Sequence, residues 1–415
     1  MPRRSTSLGL LAAACLTLGS TLSAAAFPID LHPTPSIVPA ATQTVLGGDD
    51  LAALALSPDG STYAAWDLSG DGAICAMPLD QEAETDTDCV PFPASVAVDS
   101  VRWSPDGTRF AFTEDATRQM LESDIWLFDV PSGELTNLTD DGAEGPLISS
   151  AERTDQATVD LSPAWSPDGT EIVFSRSPWV DGGGVAENAL YRVPTDGSGP
   201  AQEIAVVSGT WAAAYGGIHW PEDDRILYTV AAPGGDPDDG IWAIDPDGDA
   251  PERLIQPPDD QEQYPLLLLD VTADGSGIVM DRQAQQTNEV PPRTRYFLAD
   301  FDTGELSPLD FGASESTADD IFATGSDIPL HITAVGLSPD RRSLAMAIVL
   351  ADQSREIRLL DLETGDYTVA VEHEHPLGQA DHRPGIDWST GDRLMAPSAG
   401  RTAVLFELVP ADESA

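Results

Sequence analysis

The 415-residue chain contains no lysine: its 20 basic side chains are all arginine, set against 70 Asp and Glu, for a formal net charge of −50. Phosphate backbones and anionic membrane surfaces would be repelled over a Debye length of about 10 Å at ordinary salt, so nucleic acid is excluded as a natural partner. The acidity reads first as solubility, including in saline surroundings, and second as a means of attracting cations. Cysteine is nearly missing, with three in the whole chain; Cys75 and Cys89 have no His or third Cys beside them in sequence, which argues against a cysteine-ligated metal centre. Beyond the first 26 residues no apolar run approaches the roughly 18 residues of a membrane span. Also absent are a Gly-x-Ser-x-Gly nucleophile elbow, a His-Glu-x-x-His metal motif and a phosphate-binding glycine loop.

What the chain does have is a repeat. Val101 to Leu138 holds two apolar runs around Ser104-Pro105-Asp106-Gly107, where Pro105 presets a type I turn and Gly107 takes the left-handed conformation that closes a hairpin. Phe110 and Phe112 alternate with Arg109, Ala111 and Thr113, and a third strand from Ile125 ends at Pro131-Ser132-Gly133 before a short fourth. Such a sheet is apolar on both faces and needs stacked copies. Ser-Pro-Asp recurs at Ser57, Ser166 and Ser338, with degenerate versions near Pro221, Thr272 and Ser389, giving seven hairpins. Trp103, Trp165, Trp220 and Trp388 stand at the same place before four of them.

Trp103-Ser104-Pro105-Asp106-Gly107-Thr108, followed by an apolar strand and by Ile125-Trp126-Leu127-Phe128-Asp129, resembles the TolB-type, WD40-like propeller repeat over roughly Leu51 to Val409. The resemblance implies an all-β fold, a single β-propeller of seven four-stranded antiparallel blades over 51–410, and says almost nothing about activity. TolB's separate N-terminal α/β domain is not expected in the short stretch before Leu51. Prolyl oligopeptidase-like enzymes have similar propellers, but this length excludes their hydrolase domain.

Met1 to Ala26 carries Arg3 and Arg4, an apolar stretch from Leu8 to Leu22 and Ser-Ala-Ala-Ala before Phe27, which predicts a secretory signal cut after Ala26 and an exported protein, periplasmic or secreted. Lipid attachment at Cys15 is the lesser alternative. Within 27–50, Thr42 to Leu46 is β-prone. The last repeat has three strands before the tail 411–415, so this early piece is expected to supply the fourth and close the ring. Cys75 and Cys89 flank an acidic loop between adjacent strands and are expected to form a disulfide.

Strand alternation places the first-to-second and third-to-fourth turns on one face and all other connections on the opposite face. The first set is short. The second holds the long insertions: 140–160, 176–189, 208–216, 283–294, 310–330 and 372–385. This long-connection face is therefore the expected site for a protein, peptide or glycan partner, with Trp179, Asp181, Trp211 and Tyr215 as candidate contacts, weighed against aromatics that merely pack their own loops. Acidic residues Asp181, Asp319, Asp320, Glu372 and Glu374 favour a cationic or cation-bridged partner there. No cofactor is required. His373 and His375 could hold a metal, and Asp245, Asp247 and Asp249 resemble the opening of a calcium loop, although Ala250 replaces its turn glycine. A monomeric, non-catalytic binding scaffold is the expected function. The alternative is a propeller-type hydrolase or lyase with a metal or carboxylate site at the channel mouth.

Overall fold

The computed structural model of the chain describes residues 29–30, 41–79, 88–92, 94–115, 123–142, 158–180, 184–185, 188–207, 217–221, 225–230, 238–257, 266–281, 295–310, 329–350, 355–373, 385–390, 393–398 and 401–408. They form seven antiparallel sheets and no helix. Each sheet is one blade, so the seven-bladed, all-β propeller predicted from the repeats is what the chain builds, with the TolB-type motif in its blades. Blade 1 comprises Leu51–Leu56, Thr62–Asp67, Ala73–Pro78 and Asp88–Pro91; blade 2, Arg102–Trp103, Arg109–Thr113, Ile125–Asp129 and Glu134–Asn137. Blade 3 comprises Thr158–Trp165, Glu171–Val180, Asn188–Pro194 and Gln202–Val207. Blades 4, 5 and 6 begin with Ile218–His219, Leu266–Val271 and Pro329–Leu337. Blade 7 has Asp387–Trp388, Arg393–Pro397 and Ala403–Leu408, and Ala41–Leu46 pairs antiparallel with the last of these, Thr44 opposite Leu405. A second N-terminal piece, Ile29–Asp30, lies parallel to the outer strand of blade 5.

The Ser-Pro-Asp hairpins are self-contained hydrogen-bond hubs. In blade 2, Ser104 Oγ donates to Asp106 Oδ1 at 2.6 Å and accepts the Arg109 N–H at 3.0 Å. Asp106 Oδ1 also accepts the Thr108 N–H at 3.0 Å. Ser57 and Asp59, Ser166 and Asp168, and Ser338 and Asp340 repeat the arrangement. The recurrent sequence is therefore a local solution for satisfying a tight turn. Neighbouring hairpins are then laced together: Arg109 Nη2 donates to Gly169 O at 2.8 Å, Arg393 Nη1 to Gly60 O at 2.7 Å and the Thr390 N–H to Pro58 O at 2.9 Å.

The tryptophans serve the seams between blades. Trp103 Nε1 donates to Ala55 O in blade 1 and Trp165 Nε1 to Arg102 O in blade 2. One residue earlier, the side chain faces the following blade: His219 Nε2 lies 3.2 Å from Leu268 O, and Asp387 Oδ2 accepts the Leu56 N–H at 2.9 Å across the closure. Apolar packing fills the rest. Phe110 stacks on Phe128 with centroids 4.9 Å apart, and both are fully buried with Phe112 beneath blade 1 residues such as Leu54 and Ile74. Each such side chain contributes about 1.5–3 kcal/mol. Cys75 and Cys89 are directly paired across the third and fourth strands of blade 1 and form the disulfide.

Candidate functional site

Blade 3 departs from the sequence-based map. Its second strand, expected to end at Ser175, continues to Val180, and Trp179 pairs with Val185 in a hairpin that extends past the blade on the long-connection face. Thr158 lies opposite Pro178 and Ala189 opposite Arg176, so flanking strands that are themselves long carry it outward. Residues 158–160 and 176–180, read as insertion, are thus strand.

At the base of this extension, blades 2 and 3 bury a carboxylate network that sequence reading missed. Asp160, on the first strand of blade 3, is fully buried, and both its oxygens meet Arg176, Nε at 2.7 Å and Nη2 at 2.6 Å. Arg176 in turn lies over the rings of Phe174 and Tyr191, and Tyr191 donates to Glu203 at 2.9 Å. Glu114, just past the second strand of blade 2, and Asp124, just before the third, are 6% and 3% exposed. The Asp124 N–H donates to Glu114 Oε2 at 2.7 Å, and the Asp124 carboxylate accepts Asn137 Nδ2 at 2.7 Å and Thr139 Oγ1 at 3.3 Å. Ser123 joins the two blades: its Oγ donates to Asp160 O at 2.8 Å, and its carbonyl accepts the Asp160 N–H at 2.9 Å. Asp141 Oδ2 accepts the Thr158 N–H at 2.8 Å.

Burial dominates the protonation of this cluster. It pushes Asp160 up to about 6, against the pull of Arg176. Burial likewise opposes the Arg176 charge, but the Asp160 bonds overcome it and leave the guanidinium above its ordinary value. Burial pushes Glu114 up to about 7, its bond from the Asp124 N–H opposing and the Asp124 charge reinforcing. Asp124 is raised as well, by burial first and by the charges of Asp141 and Asp140. Trp126 faces Glu114 closely enough to favour its ionised form, yet its buried Nε1 makes no hydrogen bond of standard geometry.

Of the predicted contacts, Trp179 lies in the extended strand, whereas Asp181, Trp211 and Tyr215 lie outside the described residues. His373 ends the last strand of blade 6, and His375 lies outside the described residues. Asp245, Asp247 and Asp249 sit on a tight turn in which the Gly248 N–H donates to Asp245 O, and Asp247 pairs with Arg192 at 3.3 Å. Among the described residues no group of three or more His, Cys, Asp or Glu is arranged to hold a metal ion. An open cavity of about 420 Å³ on the turn face is lined by Arg109, Asp168, Glu171 and Thr195, but its arginine is already committed to Gly169 O and Thr195 Oγ1. No signal in the sequence marked Asp160 or Glu114, since the burial of each is set by tertiary packing and not by a local pattern.

The fold thus defines a seven-bladed propeller with a minimal turn face and, on its other face, a buried acidic seam beside an extended hairpin. It is similar to an oligogalacturonate lyase in complex with manganese, at 13% identity and a TM-score of 0.58 over 89% of this chain and 96% of that one. It is also similar to the oligogalacturonate lyase of Vibrio parahaemolyticus, at 11% identity and 0.56 over 90% and 99%. A third likeness is to the propeller domain of the Trilobed protease from Pyrococcus furiosus, at 13% and 0.50 over 84% and 92%. At these identities the likeness is one of fold. No protein-family model matches the chain, and no curated protein matches it in sequence. Among the described residues no helix is long and apolar enough to cross a membrane.

Proposed function

We propose that the protein is an exported, non-catalytic propeller that binds a cationic partner, such as a basic protein segment, on its long-connection face. The observation that carries this reading is the contrast between faces. The turn face uses its polar side chains on its own hairpins and on lacing them together, whereas the opposite face carries the extended hairpin of blade 3 and buried carboxylates that outnumber their arginine. A cluster that costs folding energy at one place on an otherwise regular scaffold is a mark of function. The net charge of −50 adds long-range attraction for cations, which salt weakens.

A deca-arginine peptide serves as the probe. Its binding to residues 27–415, measured by calorimetry, should saturate at a small whole number of sites and weaken at least tenfold between about 50 and 500 mM NaCl. The enzyme reading draws on the lyase-like folds, one of which holds manganese. Turnover of an oligogalacturonate with added manganese, lost on His373→Ala with His375→Ala, would replace the binding reading.

A further inference from the structure

Three carboxylates are buried at the seam of blades 2 and 3, and among the described residues the cation that hydrogen-bonds to them is Arg176, both of whose bonds go to Asp160. Glu114 and Asp124 share the remaining space, joined by the Asp124 N–H. Among the described residues, the charged and titratable groups shown around them are Asp140 and Asp141 from the exit of blade 2, and Asp160, Arg176, Tyr191 and Glu203 from blade 3. Apart from Arg176 every one of these is an acid. Two adjacent buried carboxylates with no cation bonded to them among the described residues cannot both ionise cheaply, because desolvation and mutual repulsion act in the same direction. One proton therefore belongs to the pair near neutral pH.

We propose that the Glu114–Asp124 pair is a proton-binding site that latches blade 2 to blade 3 beneath the long-connection face. With the proton bound, Glu114 is neutral beside Asp124, no repulsion acts across the pair, and Ser123 keeps its two bonds to Asp160. When the proton leaves, Glu114 and Asp124 repel, and the bonds from Ser123 across the seam loosen. The direction follows from burial, which raises Glu114 to about 7. The latch is closed in mild acid and opens as pH rises through neutrality; Asp160, raised to about 6, ionises over part of the same range and tightens on Arg176, an effect that wild type and Glu114→Gln share. The latch tunes the face to which binding was assigned above, but its test needs no partner.

The test is amide hydrogen exchange on the mature chain at pH 5.5 and 8.5, corrected for intrinsic rates and resolved to residues 123–125 and 158–161. The latch predicts protection at least tenfold lower at the higher pH, with Glu114→Gln holding protection constant. Equal protection at both pH values, or an equal loss in Glu114→Gln, overturns it. Should the variant fail to fold, the wild-type Glu114 carboxyl is followed by carbon NMR. A transition between pH 6 and 8 supports the latch, and one below 5 overturns it.

Discussion

Arg341 occupies the hairpin position held by Gly60, Gly107, Gly169 and Gly275 in other blades, and like them it has a left-handed φ, 58°. A Cβ there costs about 1–2 kcal/mol, partly offset by the freedom glycine would lose on folding. Arg341→Gly should therefore stabilise the protein by about 0.5–1 kcal/mol in urea, and Arg341→Ala should not. Gly336 is the reverse case, because a Cβ on it would collide with the Ile386 carbonyl, whose amide donates to Val335 O at 2.7 Å. Gly336→Ala should destabilise by about 1–3 kcal/mol by forcing the first strands of blades 6 and 7 apart. Glu114 has a signature in pH. Its folded value is raised to about 7 from an ordinary 4.5, so its contribution to stability is full below about 4.5 and is lost as pH rises through 7. Glu114→Gln, which keeps an acceptor for the Asp124 amide, should be more stable than wild type by up to about 3 kcal/mol at pH 8 and equal to it at pH 4.

The strands and turns were legible where local chemistry dictates them. Ser104, Asp106 and Gly107 specify their hairpin wherever they occur, and Trp103 and Trp165 mark the strand before it because an indole there reaches a carbonyl of the preceding blade. The outward run of blade 3 was not legible, since Ser175 to Val180 includes a proline and gains its pairing only from long flanking strands. The same holds for Asp160, which looks like an ordinary surface charge until Arg176 and the Ser123 bonds from blade 2 enclose it. Two elements invite direct tests. Replacing Cys75 and Cys89 with serine releases a local loop, and the protein should lose about 3 kcal/mol while keeping its β-sheet circular dichroism. Replacing Ala41–Leu46 with a flexible linker exposes the edge of Ala403–Leu408, and the protein should aggregate at micromolar concentration by light scattering.

For the whole molecule, opposing titrations set the stability profile. Asp106, Asp168 and Asp340 are held below the ordinary carboxylate range by turn hydroxyls and amides, foremost the Ser104 hydroxyl for Asp106, the Thr170 amide for Asp168 and the Ser338 hydroxyl for Asp340. Their contribution is present above about pH 4 and is lost as pH falls through the lowered values. The seam carboxylates act oppositely, and repulsion among the many acids also grows with pH. The melting temperature should therefore peak between about pH 4 and 6, not at neutrality. The central claim is that one face binds and the other only holds the ring. It is tested most directly by removing equal charge from each face and measuring deca-arginine affinity. One variant carries Asp181→Asn, Asp319→Asn, Asp320→Asn, Glu372→Gln and Glu374→Gln. The other carries Glu134→Gln, Asp196→Asn, Asp245→Asn, Asp302→Asn and Glu363→Gln, at or beside the turns. A loss of at least tenfold for the first and less than twofold for the second is the predicted result, and equal losses would contradict the account.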